Sequence, residues 1–411
     1  MTAVHASVPK LRVAMVIQRF RPHFSGQGQQ LELLCRTLVT RGVEPTVITS
    51  AYDQPTAAEV VDGYRVVRLH SDLLGWAATG PRLRVRGPVL AARTFARLHR
   101  DGPFDLVHVH ALTDALYGSL AWGRWRRRPV LFEMTLLGVD DAVTALGSPH
   151  RLAPLRHAMF RRCDGYAAIS PALERRYHDA GLPPEKLRLL PQGVDVDLFR
   201  PLPDPRGVRA ALGVPVDGPM LIFVGSLIHR KGIDVLLKAW TEITRARPDA
   251  HLVLVGRSTL PVGHPDETYW GDQLGRLPSS AAARIQTLGV RDDVSQLLQA
   301  ADVFLFPSRQ EGFGTVMIEA MACGLPCIVS DQPGITDFIF GDDGASGTVI
   351  PQEDHEALVR AVTDFLSSPA RASAVGTQAR ARAVEQFNIE RIADRYVDFY
   401  IELIDDVRAS S

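Results

Sequence analysis

The residues best able to do chemistry sit close together in the second half of the chain. From Ala301 to Ser330 the sequence reads ADVFLFPSRQEGFGTVMIEAMACGLPCIVS. A buried-strand pattern, Val303–Phe306, stops at Pro307, and a polar loop runs from Ser308 to Gly314. The pattern then predicts a helix from near Thr315 to Gly324–Leu325–Pro326. Gly312 and Gly314, on either side of Phe313, let a ligand approach the main chain closely. The N–H groups of Gly314, Thr315 and Val316 fall at the helix start, where donors lack intrahelical partners, so this turn is an anion site. Glu319 stands five residues past Gly314, about 7.5 Å along a helix rising about 1.5 Å per residue. That distance suits a carboxylate accepting hydrogen bonds from a ribose while a diphosphate rests on the helix end. Glu311, on the loop, is placed to touch a sugar.

These residues need elements to hold them. At 411 residues the chain is too long for one ordinary core, so two domains of roughly 200 residues each are expected. Apolar residues make up 46% and charged residues 22%, normal for a globular protein with ample core material. Short apolar runs alternate with helical periodicity throughout. Val13–Ile17, Val47–Thr49, Leu106–Val109, Val130–Phe132 and Gly165–Ile169 read as strands, with a helix over Leu31–Arg41. Phe199–Pro219 is rich in proline and glycine around one short helix, Val208–Leu212, and reads as a linker. The rhythm restarts with Leu221–Val224, Leu252–Val255, Ile285–Thr287, Val303–Phe306 and Cys327–Val329. This β-α-β alternation predicts an α/β protein of two Rossmann-like, doubly wound domains facing each other across a cleft. The division expected is 1–200 for the first domain, 201–219 for the linker, 220–390 for the second, and 391–411 for a terminal helix returning to the first.

Charge is uneven. Residues 1–200 hold 27 basic and 18 acidic side chains, a net of +9, and residues 201–411 hold 19 and 28, a net of −9. Such asymmetry points to an anionic partner of the first half or to complementarity between the halves. Trp122–Arg128, WGRWRRR, with Arg82, Arg84 and Arg86, reads either as a peripheral contact with an anionic membrane face or as a solvated basic face. It is too little for a nucleic-acid role. The four cysteines, Cys35, Cys163, Cys323 and Cys327, read as buried thiols of a reducing compartment. With no leader-like N-terminus and no long apolar run, a cytoplasmic protein is expected.

Glu311-x7-Glu319 within EGFGTVMIEAMACGLP resembles the signature of retaining glycosyltransferases of the GT-B fold, family 4. Leu221–Gly232, LIFVGSLIHRKG, is similar to that family's strand and phosphate loop, in which a basic pair grips the donor diphosphate. Lys231 matches the family lysine. Ser226, after Gly225, stands where the family usually has arginine, and Arg230 is the nearest substitute. PQGVDVDLF, from Pro191 to Phe199, resembles the loop closing the first domain; its Asp195-x-Asp197 pair reads as a turn rather than a metal site. Val290–Val294 matches the loop whose backbone borders the nucleotide base.

The first half is less explicit. Gly26 and Gly28 follow the first strand in FRPHFSGQGQQLELL and are candidates for the donor phosphates or the acceptor; a plain helix-entry loop is the equal alternative. In DLVHVH, His108 and His110 read as structural. The family commonly has a histidine near Thr135 to contact the transferring sugar; here FEMTLLGVDD offers Glu133, Asp140 and Asp141 instead.

The resemblance implies transfer of a sugar from a nucleoside diphosphate to an acceptor hydroxyl with retained anomeric configuration. Lys231, Arg230 and the Gly314–Val316 amides would stabilise the departing diphosphate. No cofactor and no metal are expected. The acceptor, whether polysaccharide, glycolipid or small molecule, is left open. Two alternatives stand beside this reading: a catalytically silent sugar-nucleotide-binding subunit, suggested by Ser226 and the missing histidine, and a GT-B sugar-nucleotide 2-epimerase.

Overall fold

Strand runs that are apolar on both faces can only be satisfied in a sheet covered on both sides, and such sheets are parallel. In the computed structural model, Val13, Met15 and Ile17 are essentially without solvent exposure, as are Leu221–Phe223 and Val303–Phe306. The structure describes residues 10–22, 25–51, 57–69, 83–110, 112–147, 153–259, 264–341 and 343–410. The chain separates into two units, Met1–Gly193 with Ile389–Ser411, and Val194–Asn388.

The first unit contains β1 (Leu11–Ile17), β2 (Val43–Ser50), β3 (Ala58–Val61), β4 (Tyr64–Leu69), β5 (Leu106–His110), β6 (Val130–Met134), β7 (Gly165–Ala168) and β8 (Leu187–Leu189). Their order is β3-β4-β2-β1-β5-β6-β7-β8, parallel apart from the β3–β4 hairpin. Sequence reading passed over that hairpin. Its signal was present: Asp62–Gly63 is a two-residue turn with positive φ at both positions, the Asp-Gly pattern of tight hairpins. The first helix runs over Gly26–Val39 rather than Leu31–Arg41, because Ser25 caps it by accepting from Gly28 N at 3.0 Å.

The terminal helix, Ile389–Ala409, is amphipathic. Ile389, Ile392, Ala393, Tyr396, Phe399, Tyr400, Leu403 and Ile404 form its buried stripe and join Met15, Cys35 and Leu38 in the first unit's core.

The second unit contains β9 (Met220–Val224), β10 (His251–Val255), β11 (Ile285–Gly289), β12 (Val303–Phe306), β13 (Cys327–Ser330) and β14 (Thr348–Ile350), ordered β11-β10-β9-β12-β13-β14 and all parallel. Winding reverses between β9 and β12. In open α/β sheets a crevice for ligands opens at the carboxyl ends of strands at such a reversal.

The stretch expected as a linker is part of this second unit. Arg209, fully buried, donates to Ala300 O at 2.9 Å, Gly218 O at 3.0 Å and Asp302 Oδ2 at 2.7 Å, which binds the 201–219 segment to the start of β12. Arg209→Ala strands two carbonyls and a partly exposed carboxylate. It is expected to destabilise the protein by about 3 kcal/mol, the low end for breaking a buried pair. Urea unfolding of the full chain checks this, and an unchanged midpoint would contradict it.

Candidate functional site

Two loops leave the sheet at the β9/β12 reversal. After β9, Gly225–Ile228 turns, with Ile228 N donating to Ser226 O at 2.9 Å, and a short 3-10 turn, His229–Lys231, follows. Gly232 then takes φ +68°, and a Cβ there would lie 1.8 Å from Pro307 O. Only glycine lets this turn rest on the end of β12, and that packing carries the basic pair to the second loop. Arg309 N donates to Arg230 O at 2.9 Å, and the Arg230 guanidinium donates to Gln310 O.

Lys231 meets Glu311. The ammonium donates to Glu311 Oε1, which also accepts from Ser308 Oγ at 2.6 Å, and Arg230 stands 3.7 Å from the same oxygen. Lys231 lies 4.8 Å from the Phe306 ring centroid and is largely buried. Burial pulls its pKa below the usual lysine range, with Glu311 opposing. The charge cluster is held from outside by Arg309, which forms paired 2.8 Å bonds to the two oxygens of Asp234. Asp234 in turn accepts from Tyr269 OH at 2.7 Å. Ser308, Asp234 and Arg309 escaped sequence reading. Asp234, an acid in the first turn of a helix just past Lys231–Gly232, was the available clue.

The second loop ends in the helix Thr315–Ala322, with Gly314 as its left-handed N-cap at φ +84°. Gly312, Gly314, Thr315 and Val316 therefore stand at the helix start, beside the Lys231–Glu311 pair's own loop. Phe313 does not face this loop's surface. Its ring is buried edge-on against Phe387, 5.7 Å between centroids, so the expected donor contact is limited to its backbone. Glu319, about one turn along, is half-buried, and among the described residues its carboxylate accepts no hydrogen bond. Burial pushes its carboxyl up to about 7. Val294 differs from expectation too: it opens the helix Val294–Gln299 instead of lying in a loop.

In the first unit the candidates divide into two groups. Gly26 and Gly28 occupy the first helical turn, and Gln27 between them shares a small cavity with His110 and Glu133. Glu133 is buried and accepts from Tyr396 OH. Thr135 and Asp140 pair with each other, Thr135 Oγ1 donating to Asp140 Oδ2 at 2.9 Å, and Asp140 also accepts from Leu112 N. Burial raises the Asp140 carboxyl above its ordinary value. Asp141 caps the following turn, accepting from Gly138 N and Thr144 N.

Asp195 accepts from Asp197 N and Leu198 N, a side-chain-closed turn. All four cysteines are buried and free. In the basic cluster, Trp122 belongs to the core against Phe95 and His99, whereas Trp125 is exposed under Arg126. Arg82 lies outside the described residues, and the side chains of Arg84 and Arg86 are likewise not described. Among the described residues no helix is long and apolar enough to cross a membrane.

Two doubly wound parallel sheets, one with a lysine, a glycine-capped helix start and a carboxylate gathered at its reversal point, define a protein of the GT-B fold. Sucrose-phosphate synthase from Thermosynechococcus elongatus shares that fold, with a TM-score of 0.76 and 25% identity, covering 96% of this chain and 100% of that one. So does Anabaena HepE in complex with UDP and glucose, with a TM-score of 0.74 and 20% identity, covering 94% and 98%.

Residues 24–198 match Glycosyltransferase Family 4, and residues 207–382 match Glycosyl transferases group 1. A D-inositol 3-phosphate glycosyltransferase of Kineococcus radiotolerans is 29% identical, over 91% of this chain and 89% of its own length. A GDP-mannose-dependent alpha-(1-6)-phosphatidylinositol monomannoside mannosyltransferase of Mycolicibacterium smegmatis is 30% identical, over 91% and 94%. The chain belongs to glycosyltransferase family 4, and its activity is glycosyl transfer.

Proposed function

We propose that the chain is a retaining glycosyltransferase that moves a sugar from a nucleoside diphosphate to an acceptor hydroxyl. The observation that carries this is the meeting of Lys231, Arg230 and Glu311 with the Gly314-capped helix at the β9/β12 reversal. As the donor bond breaks, positive charge grows on the anomeric carbon and negative charge on the leaving diphosphate. Lys231, Arg230 and the first-turn amides oppose that negative charge in a partly desolvated place, where fixed charges act strongly. The leaving phosphate takes the acceptor's proton, so no cofactor is used and the diphosphate needs no metal. Glu319 accepts from the ribose. Glu311 holds Lys231 and reaches the sugar.

The relatives are named for inositol phosphate and phosphatidylinositol monomannoside acceptors. A phosphorylated polyol or glycolipid acceptor fits the +9 net charge of residues 1–200.

A thermal-shift panel of UDP-, GDP-, ADP- and TDP-sugars tests the donor site. A ligand at 100 times its Kd stabilises the native state by about 2.7 kcal/mol. One base is expected to raise Tm clearly above the others. A flat panel would remove the donor reading, and donor binding without glycoside formation under any acceptor screen would point to a silent binding subunit.

A further inference from the structure

The first unit holds a buried ionisable group for which donor chemistry has no use. His108 and His110 are two apart on β5, so their side chains leave the same face of the sheet. The parallel register sets Glu133 of β6 beside His110. All three are at most 5% exposed. Glu133 Oε2 lies 3.3 Å from His108 Nε2, and Glu133 Oε1 lies 3.2 Å from His110 Nδ1. One ligand atom from each residue falls within 4.8 Å of the other two.

Those spacings are informative. Metal bonds of about 2.0–2.1 Å at tetrahedral angles separate neighbouring ligand atoms by about 3.3–3.4 Å. A charge-assisted N–H···O⁻ bond closes to about 2.7–2.9 Å. The surroundings orient the three groups as ligands. Tyr400 OH is 2.9 Å from His108 Nδ1 and holds the ring by its far nitrogen. Tyr396 OH donates to Glu133 Oε2 at 2.6 Å. Hydrogen-bond partners behind the ligands are how proteins fix the tautomer and direction of metal-binding side chains. The Nε2 atom of His108, which faces Glu133 Oε2, is buried and has no hydrogen-bond partner among the described residues, while His110 turns its Nδ1 to Glu133 Oε1. Beside them is a cavity of about 20 Å³ lined by Gln27, Gln30, His110, Glu133 and Tyr396, with room for one water.

We propose that His108, His110 and Glu133 bind a divalent transition metal of the zinc type, with a solvent molecule in that cavity as the fourth ligand. The nitrogen–oxygen set suits zinc or cobalt over calcium or magnesium. The site belongs to the first unit, whereas the loops that carry Lys231, Glu311 and Gly314 belong to the second. Its role is structural: Tyr396 and Tyr400 lie on the terminal helix, so a metal here ties that helix to β5 and β6 and stabilises the folded unit by mass action.

The test uses the full-length protein without a histidine tag, stripped with EDTA and titrated with ZnCl₂ and with CoCl₂. One equivalent of Zn²⁺ is expected to bind and raise Tm, and Co²⁺ is expected to give the intense visible bands of a four-coordinate site. Glu133→Gln abolishes those bands. Tyr396→Phe keeps the ligands but loses the bond to Glu133, and weakens Zn²⁺ binding roughly 10–100-fold. A stripped wild-type protein that gains neither Tm nor cobalt bands overturns the proposal. So does an identical cobalt spectrum or zinc affinity in Glu133→Gln. If that variant does not fold, the wild-type titration and Tyr396→Phe still decide.

Discussion

Lys231→Ala is expected to lower kcat by about 10²–10³-fold, the usual loss when one preorganised donor to a developing negative charge is removed. The argument rests on where the ammonium lies. It is largely buried, seated over the Phe306 ring and bonded to Glu311, so its position is set before any donor arrives. Among the described residues, alanine also leaves the buried Glu311 carboxylate with Ser308 bonded to it and Arg230 at 3.7 Å, which places net negative charge where the proposed function seats the diphosphate. Lys231→Arg should rescue poorly, because a planar fork does not replace a compact ammonium in that slot. Steady-state kinetics with the donor found by the thermal panel check this. A matching fall in kcat and kcat/KM is the mark of lost transition-state stabilisation, and a change confined to KM would contradict the assignment.

Glu319→Gln should separate stability from binding. The folded carboxyl sits at about 7 because burial disfavours its ionised form, well above the 4.5 of a free glutamate. Between these values the folded state keeps a proton that the unfolded state has released, so stability falls as pH rises from about 4.5 through 7. Glutamine removes that dependence. Without donor, the variant is expected to match wild type near pH 4.5 and to melt at a higher temperature near pH 8.5.

With donor the order reverses. On the proposed reading ribose hydroxyls donate to the ionised carboxylate, so wild-type donor binding is expected to strengthen as pH rises through about 7. Glu319→Gln loses both the donor-induced rise in Tm and its pH dependence. Melting curves at the two pH values, with and without donor, give the answer; a variant that retains the full donor shift near pH 8.5 would show that Glu319 does not hold the ribose.

Much of the second unit could be read from local pattern. Strand, polar loop, Gly-Phe-Gly and helix follow one another within Ala301–Ser330, and each boundary has a chemical mark in the sequence. The Lys231–Gly232 turn was equally open, because a basic pair before glycine after a strand is a local signal. What escaped depended on distance along the chain. Arg209 is an ordinary surface residue by type, and only its bonds to Ala300 and Asp302 make it core. Phe313 sits between two glycines that invite a ligand, yet Phe387 claims its ring. The histidines of DLVHVH were visible as one face of a strand, but the tyrosines that orient that cluster lie nearly three hundred residues later. β8 and β14, three residues each, are too short for any period to show.

The terminal helix has a consequence for how the chain is made. Residues Ile389–Ile404 complete the hydrophobic core that begins at Leu11, so the first unit cannot close until the whole of the second has been synthesised. The second unit is contiguous and can close while its predecessor still lacks a wall. Nascent domains usually mature in the order of synthesis; in this chain the order of completion is inverted, and the apolar surface awaiting the helix Ile389–Ala409 is the part a chaperone would have to guard.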